Sequence, residues 1–295
     1  MFDSLIKVLK PKWKDLKLSL FLLRRNVLTR ISLIIVLAIV LVAIFAPVIV
    51  PYPGDVGSDT HPTEMLQPPS AEHWLGTDDM GRDIFSRILY GTRISITSAT
   101  YVVVFSFIIG ASLGAIAGTV GGWVDEIIMR ITDIFLSFPS LLLAVFFASM
   151  MGPSLVNAQI SLIISWWPWY TRYMRGQAIS IKERPFVKAA EAIGTNKVKI
   201  IFRHVFPNGI SPLIIQAAMD MGGVILSLAS LSFLGLGAQA PTPEWGLMIN
   251  TSRTYFLSAW WYGVFPGLAI FVTVLSLNLF GEGLREIMDP KTRKL

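Results

Sequence analysis

Two ionisable side chains in this sequence, Asp133 and Asp220, fall inside long apolar runs. A carboxylate in such a setting is costly unless a polar neighbour or a wet cavity receives it, so each position must be met by something. Asp133 follows Arg130 by three residues, the spacing of an ion pair along one helical face. Asp220 stands near the middle of its run. Two roles fit it equally: a structural bond to a membrane partner, or a place on a solute path. A relay for protons or ions would need several acids, histidines or lysines within the runs, and a membrane-embedded enzyme would need a nucleophile with a base, paired carboxylates or a metal. Two aspartates supply neither. Zero cysteines and three scattered histidines exclude a disulfide framework and speak against a thiolate or multi-histidine metal site. His61 and His73 share one loop, twelve residues apart, which is weak support for nickel binding. No G-x-x-x-x-G-K-[ST] phosphate loop is present, so ATP chemistry is not carried on this chain.

The elements that must position these residues are read from composition. The 295 residues are 53% hydrophobic and 15% charged, too apolar for a domain that wets its surface. A bilayer core about 30 Å thick needs roughly 20 apolar residues per helical span. Six runs meet that need: 31–50, 94–120, 131–151, a short one at 155–170, 210–236 and 260–280. The predicted architecture is all-α and polytopic. Placing both termini in the cytoplasm puts 21 of the 25 Lys and Arg on the inner side and leaves only Arg82, Arg87, Arg93 and Arg253 outside, as basic residues near span ends require. The chain then divides into a basic interfacial segment 1–30, a first span 31–50, an external loop 51–93, a five-helix core 94–283 with a cytoplasmic loop at 171–209, and a tail 284–295. The net charge of +6 is spread over membrane flanks, which suits anionic lipid headgroups and leaves no groove for nucleic acid.

Local patterns add detail. Trp13, Leu16 and Leu20 fall at helical spacing among lysines, as in a helix lying in the headgroups. Residues 51–80 should be irregular, whereas Ile84, Phe85, Ile88 and Leu89 predict an amphipathic helix on the membrane surface. Gly110, Gly114 and Gly118 form a strip without side chains, for close helix packing or for lining a pore. Pro139 and Pro168 should bend their helices. Trp166, Trp167, Trp169 and Tyr170 precede Arg172, and fit an aromatic belt or contact with a solute.

The loop 171–209 is more ordered than a connector needs. Pro185 suits a first helical position; Phe186, Ala189, Ala190 and Ile193 follow at i, i+3, i+4 and i+7, and Gly194 provides the stop. Thr195 can cap a second helix carrying Val198, Ile201 and Val205, which Pro207 would end. Lys188 and Glu191 project beside the alanine face. On pattern alone, two surface helices resting on the bilayer and a docking handle for another protein both fit.

Lys188-Ala189-Ala190, then Gly194, then 201–207, resembles the E-A-A, three residues, glycine loop of permease subunits in ATP-binding-cassette (ABC) importers. Lys188 stands where that family has glutamate and Glu191 where a basic residue is common, so the charge order is reversed. The stretches HWLGTDDMGRDIFS at 73–86 and LSFLGLGAQAPTPEWGL at 231–247, with Phe138-Pro139-Ser140-Leu141-Leu142-Leu143, are similar to C-subunit-type permeases of dipeptide, oligopeptide and nickel importers. The likeness covers essentially the whole chain. It implies a type I ABC-importer permease fold and a non-catalytic subunit of a peptide importer, with oligosaccharides or nickel chelates as alternative cargo. It further implies a heterodimer with a homologous permease, two cytosolic ATP-binding subunits that hold ATP and Mg and grip Lys188, Ala189, Ala190, Glu191 and Gly194, and an external substrate-binding protein. No cofactor is expected on this chain. Asp220 would lie on the translocation path or at the interface with the partner permease.

Overall fold

The computed structural model describes residues 26–288. The interfacial helix expected around Trp13, Leu16 and Leu20 and the end of the tail lie outside these residues. The described chain is helical, and its one β-like feature is an isolated bridge between Thr77 and Asp83. Its helices are α1 (Val27–Ile49), α2 (Ile84–Val120), α3 (Gly122–Leu136), α4 (Ser140–Met151), α5 (Leu155–Lys182), α6 (Pro185–Ala192), α7 (Lys197–Ile200), α8 (Phe206–Phe233), α9 (Trp245–Ser252) and α10 (Trp260–Met288). A π-helical stretch, Ile201–Val205, joins α7 to α8, so helix runs unbroken from Lys197 to Phe233.

Among the described residues, four helices are long and apolar enough to cross a membrane: α1, α2, the Lys197–Phe233 helix and α10. The pair α3 and α4 makes a fifth if counted as one span, though the two meet at 87°. The expected run 131–151 is therefore no single straight helix. Pro139 has no N–H to give and pushes the residue before it out of helical geometry, so the bend becomes a break. The expected run 155–170 lies within α5, a 28-residue helix that continues to Lys182. It is long enough to cross but carries Asn157, Gln159, Arg172 and Arg175. Packing on α2, α3, α4 and α8 lets such groups meet protein rather than lipid.

Two other expectations change. The surface helix foreseen near 84–89 is instead the first turns of α2. Asp83 caps it by accepting from Ser86 N at 2.7 Å, the role of a short acidic side chain at a helix start. No breaker interrupts the helix before Gly121. Its apolar and polar residues, Ile84, Ser86 and Arg87 among them, are buried beneath the loop 51–83. Pro207 does not end the second loop helix. The widening into π turns just before it relieves the clash of its ring with the preceding turn, and the helix continues.

The most extensive contact is between α2 and α5. The glycine strip makes it possible. A Cβ on Gly110 would strike the carbonyl of Trp167 and the Tyr170 Cβ; one on Gly114 would strike the Thr171 carbonyl and sit 2.9 Å from the Arg175 nitrogen; one on Gly118 would lie 2.7 Å from the Ala178 Cβ. The apolar residues around this seam form two clusters. One holds Val102, Val103, Leu162, Val224, Leu228, Trp245 and Tyr262; the other holds Ala111, Ala115, Met174, Ile181, Val205 and Leu213. Asn26 caps α1 by accepting from Thr29 N, and Gly283 on α10 lets Thr29 approach closely. Gly114→Val should cost about 1–3 kcal/mol or more by overpacking, read as lost thermal stability in mild detergent. Gly176→Ala, which meets nothing within 4 Å, should leave the melting curve in place.

Candidate functional site

Two places bring the sequence-predicted residues to positions where they can act. The first is the corner between α6 and α7. Pro185 takes the first helical turn of α6. The helix closes with Thr195 N donating to the Ala190 carbonyl (3.0 Å) and Gly194 N to that of Glu191 (2.9 Å), the pattern of a Schellman motif. The motif needs a left-handed residue, and Gly194 supplies it at φ 78°. Asn196, not Thr195, caps α7, accepting from Val198 N at 2.7 Å. Lys197 Nζ donates to the Val120 carbonyl at the end of α2 (3.1 Å), fastening the corner to the seam.

The apolar residues of this corner do not share one face. Val187 and Ala190 turn inward, Ala190 being only 9% exposed, together with Ile200, Ile201 and Val205. Ala189 is exposed, and Ile193 (83% exposed), Phe202 (71%), Val198 and Phe186 also look outward. The expected alanine face is thus split, because one helical face of α6 must seal against the end of the cluster that holds Met174, Ile181 and Leu213. Lys188 is exposed and pairs with Glu183 at 3.2 Å, while Glu191 is half-buried.

The second place is a cavity of about 380 Å³ between α5 and α8, lined by Trp166, Trp169, Tyr170, Tyr173, Gln216 and Asp220. Gln216 Nε2 donates to Asp220 Oδ1 at 2.9 Å. Tyr170 is 1% exposed and directs its hydroxyl toward Asp220 without closing a well-formed hydrogen bond. The cavity lies where the two apolar clusters stop: Leu162 and Val224 belong to one, Met174 and Leu213 to the other. By sequence the Trp–Tyr cluster fits a belt or a solute contact; α5 runs on past Tyr170, and three of these aromatics face the cavity. Gln216 and Tyr173 escape the sequence reading, although Gln216 sits four residues before Asp220, a spacing that signals a helical pair.

Asp133 does not pair with Arg130. Its oxygen lies 2.6 Å from Arg172 Nη2 on α5, and Arg130 instead approaches Glu126 at 3.9 Å. The break at Pro139 lays α3 beside α5, which brings these partners together; Arg175 likewise grips Asp125 with two bonds of 2.6 and 2.7 Å.

The loop 51–83 and the loop after α8 form a polar cap over one end of the seam. Asp78 is fully buried and accepts from Met80 N, Arg82 N and Arg82 Nε at 2.8–2.9 Å, with Arg87 Nε at 3.4 Å. Arg87 also donates to the carbonyls of Asp55 (2.8 Å) and Pro241 (3.2 Å). Buried His73 lies 3.0 Å from Asp83, and His61 lies 2.9 Å from Asp55. Trp261 and Tyr262 of α10 reach the Thr77 carbonyl and Asp79. Glu244 caps α9 through Gly246 N and Leu247 N; burial pushes its carboxyl above the usual range, against the pull of those two bonds. His73, Asp78, Asp79, Arg82, Asp83 and Glu244 belong to the two long stretches that carried the resemblance. The histidines face carboxylates in ion-pair geometry, and no group of three metal ligands occurs among the described residues.

Residues 110–294 match the family described as binding-protein-dependent transport system inner membrane component. The chain belongs to this family. Residues 16–69 match the N-terminal transmembrane domain of oligopeptide transport permease C. Among curated proteins, the dipeptide transport system permease protein DppC of Alkalihalophilus pseudofirmus is 47% identical over 92% of this chain and 88% of its own length. The probable D,D-dipeptide transport system permease protein DdpC of Escherichia coli is 44% identical over 92% and 90%, and the glutathione transport system permease protein GsiD of Pectobacterium atrosepticum 41% over 92% and 89%. Inward-facing structures of the MetNI methionine ABC transporter align with TM-scores of 0.54 and 0.55 at 17% and 16% identity, covering 70% of this chain and 97–98% of theirs. The chain is a multi-pass membrane permease subunit of an ABC importer with the type I permease fold, and it is not itself an enzyme.

The Asp55 hydrogen bond holds the His61 imidazole above its ordinary value of 6.5, ahead of a smaller opposing desolvation. A raised histidine contributes to cap stability fully below that ordinary value and loses the contribution as pH climbs through the raised one. An NMR titration of the His61 ring should give an elevated midpoint, and Asp55→Asn should return it toward 6.5.

Proposed function

We propose that this chain is half of the membrane pathway of a peptide importer and crosses the bilayer six times with both termini in the cytoplasm. The dipeptide and glutathione permeases it resembles support peptide cargo. The six crossings are α1, α2, the broken α3–α4 pair, α5, the Lys197–Phe233 helix and α10. A homologous permease completes the pathway, a substrate-binding protein delivers cargo from outside, and two ATPase subunits hold ATP and Mg below. The corner of α6 and α7 is the handle those ATPases grip.

One observation carries the coupling role: Ile193, Phe202 and Val198 stand exposed on a corner whose backbone is fixed by a Schellman turn, an Asn196 cap and the Lys197 tie to α2. Exposed apolar residues on a rigid support mark a surface made for another protein. ATP binds the two states of the complex unequally, and that difference moves the corner and exposes the pathway to each side in turn.

Ile193→Asp should leave the membrane complex assembled but reduce cargo-stimulated ATP hydrolysis by about tenfold or more; full stimulation in the variant would overturn the docking role. Because the chain has no cysteine, single Cys replacements at Lys188 and at Glu72 give unique labels. In intact cells an impermeant maleimide should react at 72 and spare 188; the reverse pattern would refute the orientation.

A further inference from the structure

The cavity between α5 and α8 contains more unspent hydrogen-bonding capacity than a packing defect would. Asp220 sits at the middle of α8 and forms no ion pair with any Lys, Arg or His among the described residues. Gln216 occupies one of its oxygens with a single N–H, and both residues line the cavity. The Tyr170 hydroxyl is buried and without a hydrogen-bond partner. The rest of the lining is aromatic: Trp166, Trp169 and Tyr173.

These groups have a common complement. A carboxylate oxygen, an amide carbonyl oxygen and a phenol oxygen are three acceptors, which matches the three donors of a primary ammonium. Aromatic faces add attraction for a cation, stronger where water is excluded. The lining contains no Lys or Arg that would receive a carboxylate, so the pocket distinguishes one end of a zwitterion from the other. Its volume suits the end of a small molecule rather than an ion alone.

We propose that the cavity is a transient binding site for the protonated amino terminus of the peptide in transit. This rests on the peptide-importer reading above. The site holds the ammonium against Asp220, with Tyr170 and Gln216 completing its hydrogen bonds and Trp166, Trp169 and Tyr173 walling it from lipid. It sits between the two apolar clusters, to both of which α5 and α8 contribute.

The test uses the complete complex in nanodiscs without the binding protein, with saturation-transfer NMR titrations of three probes: dialanine, N-acetyl-dialanine and methylamine. Dialanine should bind saturably, and acetylation, which removes the charge, should weaken binding by about tenfold. Asp220→Asn should erase the difference between the two. Trp169→Leu, at a half-exposed position on the cavity wall, should weaken dialanine more than the acetylated probe. Equal binding of both peptides by the unaltered complex would overturn the proposal. So would loss of the second permease from the Asp220→Asn complex, since the carboxylate would then belong to a bond between subunits. Binding of methylamine through Asp220 with dialanine excluded would refute peptide cargo and leave the ammonium site standing.

Discussion

Everything that acts in this molecule is placed by the contact between α2 and α5. Without side chains at 110, 114 and 118, the two backbones approach until the α5 carbonyls of Trp167, Thr171 and Arg175 lie against the glycine strip. That contact fixes the rotation of α5 about its own axis. Tyr170 is pinned with its Cβ against Gly110, which aims its ring across the seam and its hydroxyl toward α8. Arg172 and Arg175 then emerge where α3 can meet them with Asp133 and Asp125. A helix held only by apolar side chains could rotate by a few tens of degrees at small cost. One held by backbone in a groove cannot, and this is what lets a pocket with defined polar partners exist inside a bundle.

Polar accounting separates structure from function. In the cap, burial is severe and the pairing is nearly complete: Asp78, Arg82, Arg87, Asp83 and His73 each find partners, many of them backbone groups that close irregular turns. A buried charge left alone would cost several kcal/mol, so the network stands or falls as a unit. Between α5 and α8 the accounting is left open, with a phenol unpaired and a carboxylate half satisfied. Among the described residues the buried side-chain atoms without a hydrogen-bond partner are Arg87 Nε and the hydroxyls of Ser95, Ser106, Thr119 and Tyr170, and of these Tyr170 is the one that lines the cavity.

Much of this was legible in the sequence. The apolar runs placed most of the helices, the glycine spacing marked a close-packing face on α2 without naming α5 as its partner, and Pro185 with Gly194 marked the α6 corner. What failed had a common cause. Periodicity reports that a helix exists but not where it stops when no breaker intervenes, so α2 absorbed the helix expected on the membrane surface, and α5 ran twelve residues past its expected end. Prolines misled in both directions. Pro139 broke its helix, because an extended residue was tolerated there; Pro207 did not, because π turns made room for its ring. Ion pairs between helices were invisible. Arg130 and Asp133 share one face by spacing, yet α5 offered Asp133 a nearer cation from 39 residues away. The split alanine face followed from burial that periodicity alone cannot assign.

The helix from Lys197 to Phe233 joins the two sites physically. Twenty-three residues separate Lys197 from Asp220, roughly 35 Å at about 1.5 Å per residue, and helix is continuous between them. A displacement at the corner therefore cannot be absorbed by a loop before it reaches the pocket. The softer stretch is the π-helical turn at Ile201–Val205 followed by Pro207 and Pro212, where the hydrogen-bond ladder is weakest. Ile201 and Val205 are buried in the cluster with Ala111, Ala115, Met174 and Ile181, so bending there is guided by α2 and α5 rather than free. On the proposed reading, motion at the ATPase handle passes along α8 and changes the distance between Asp220 and Tyr170. The chain needs no catalytic group for this, because a shift in that single separation alters how well the pocket holds a cation.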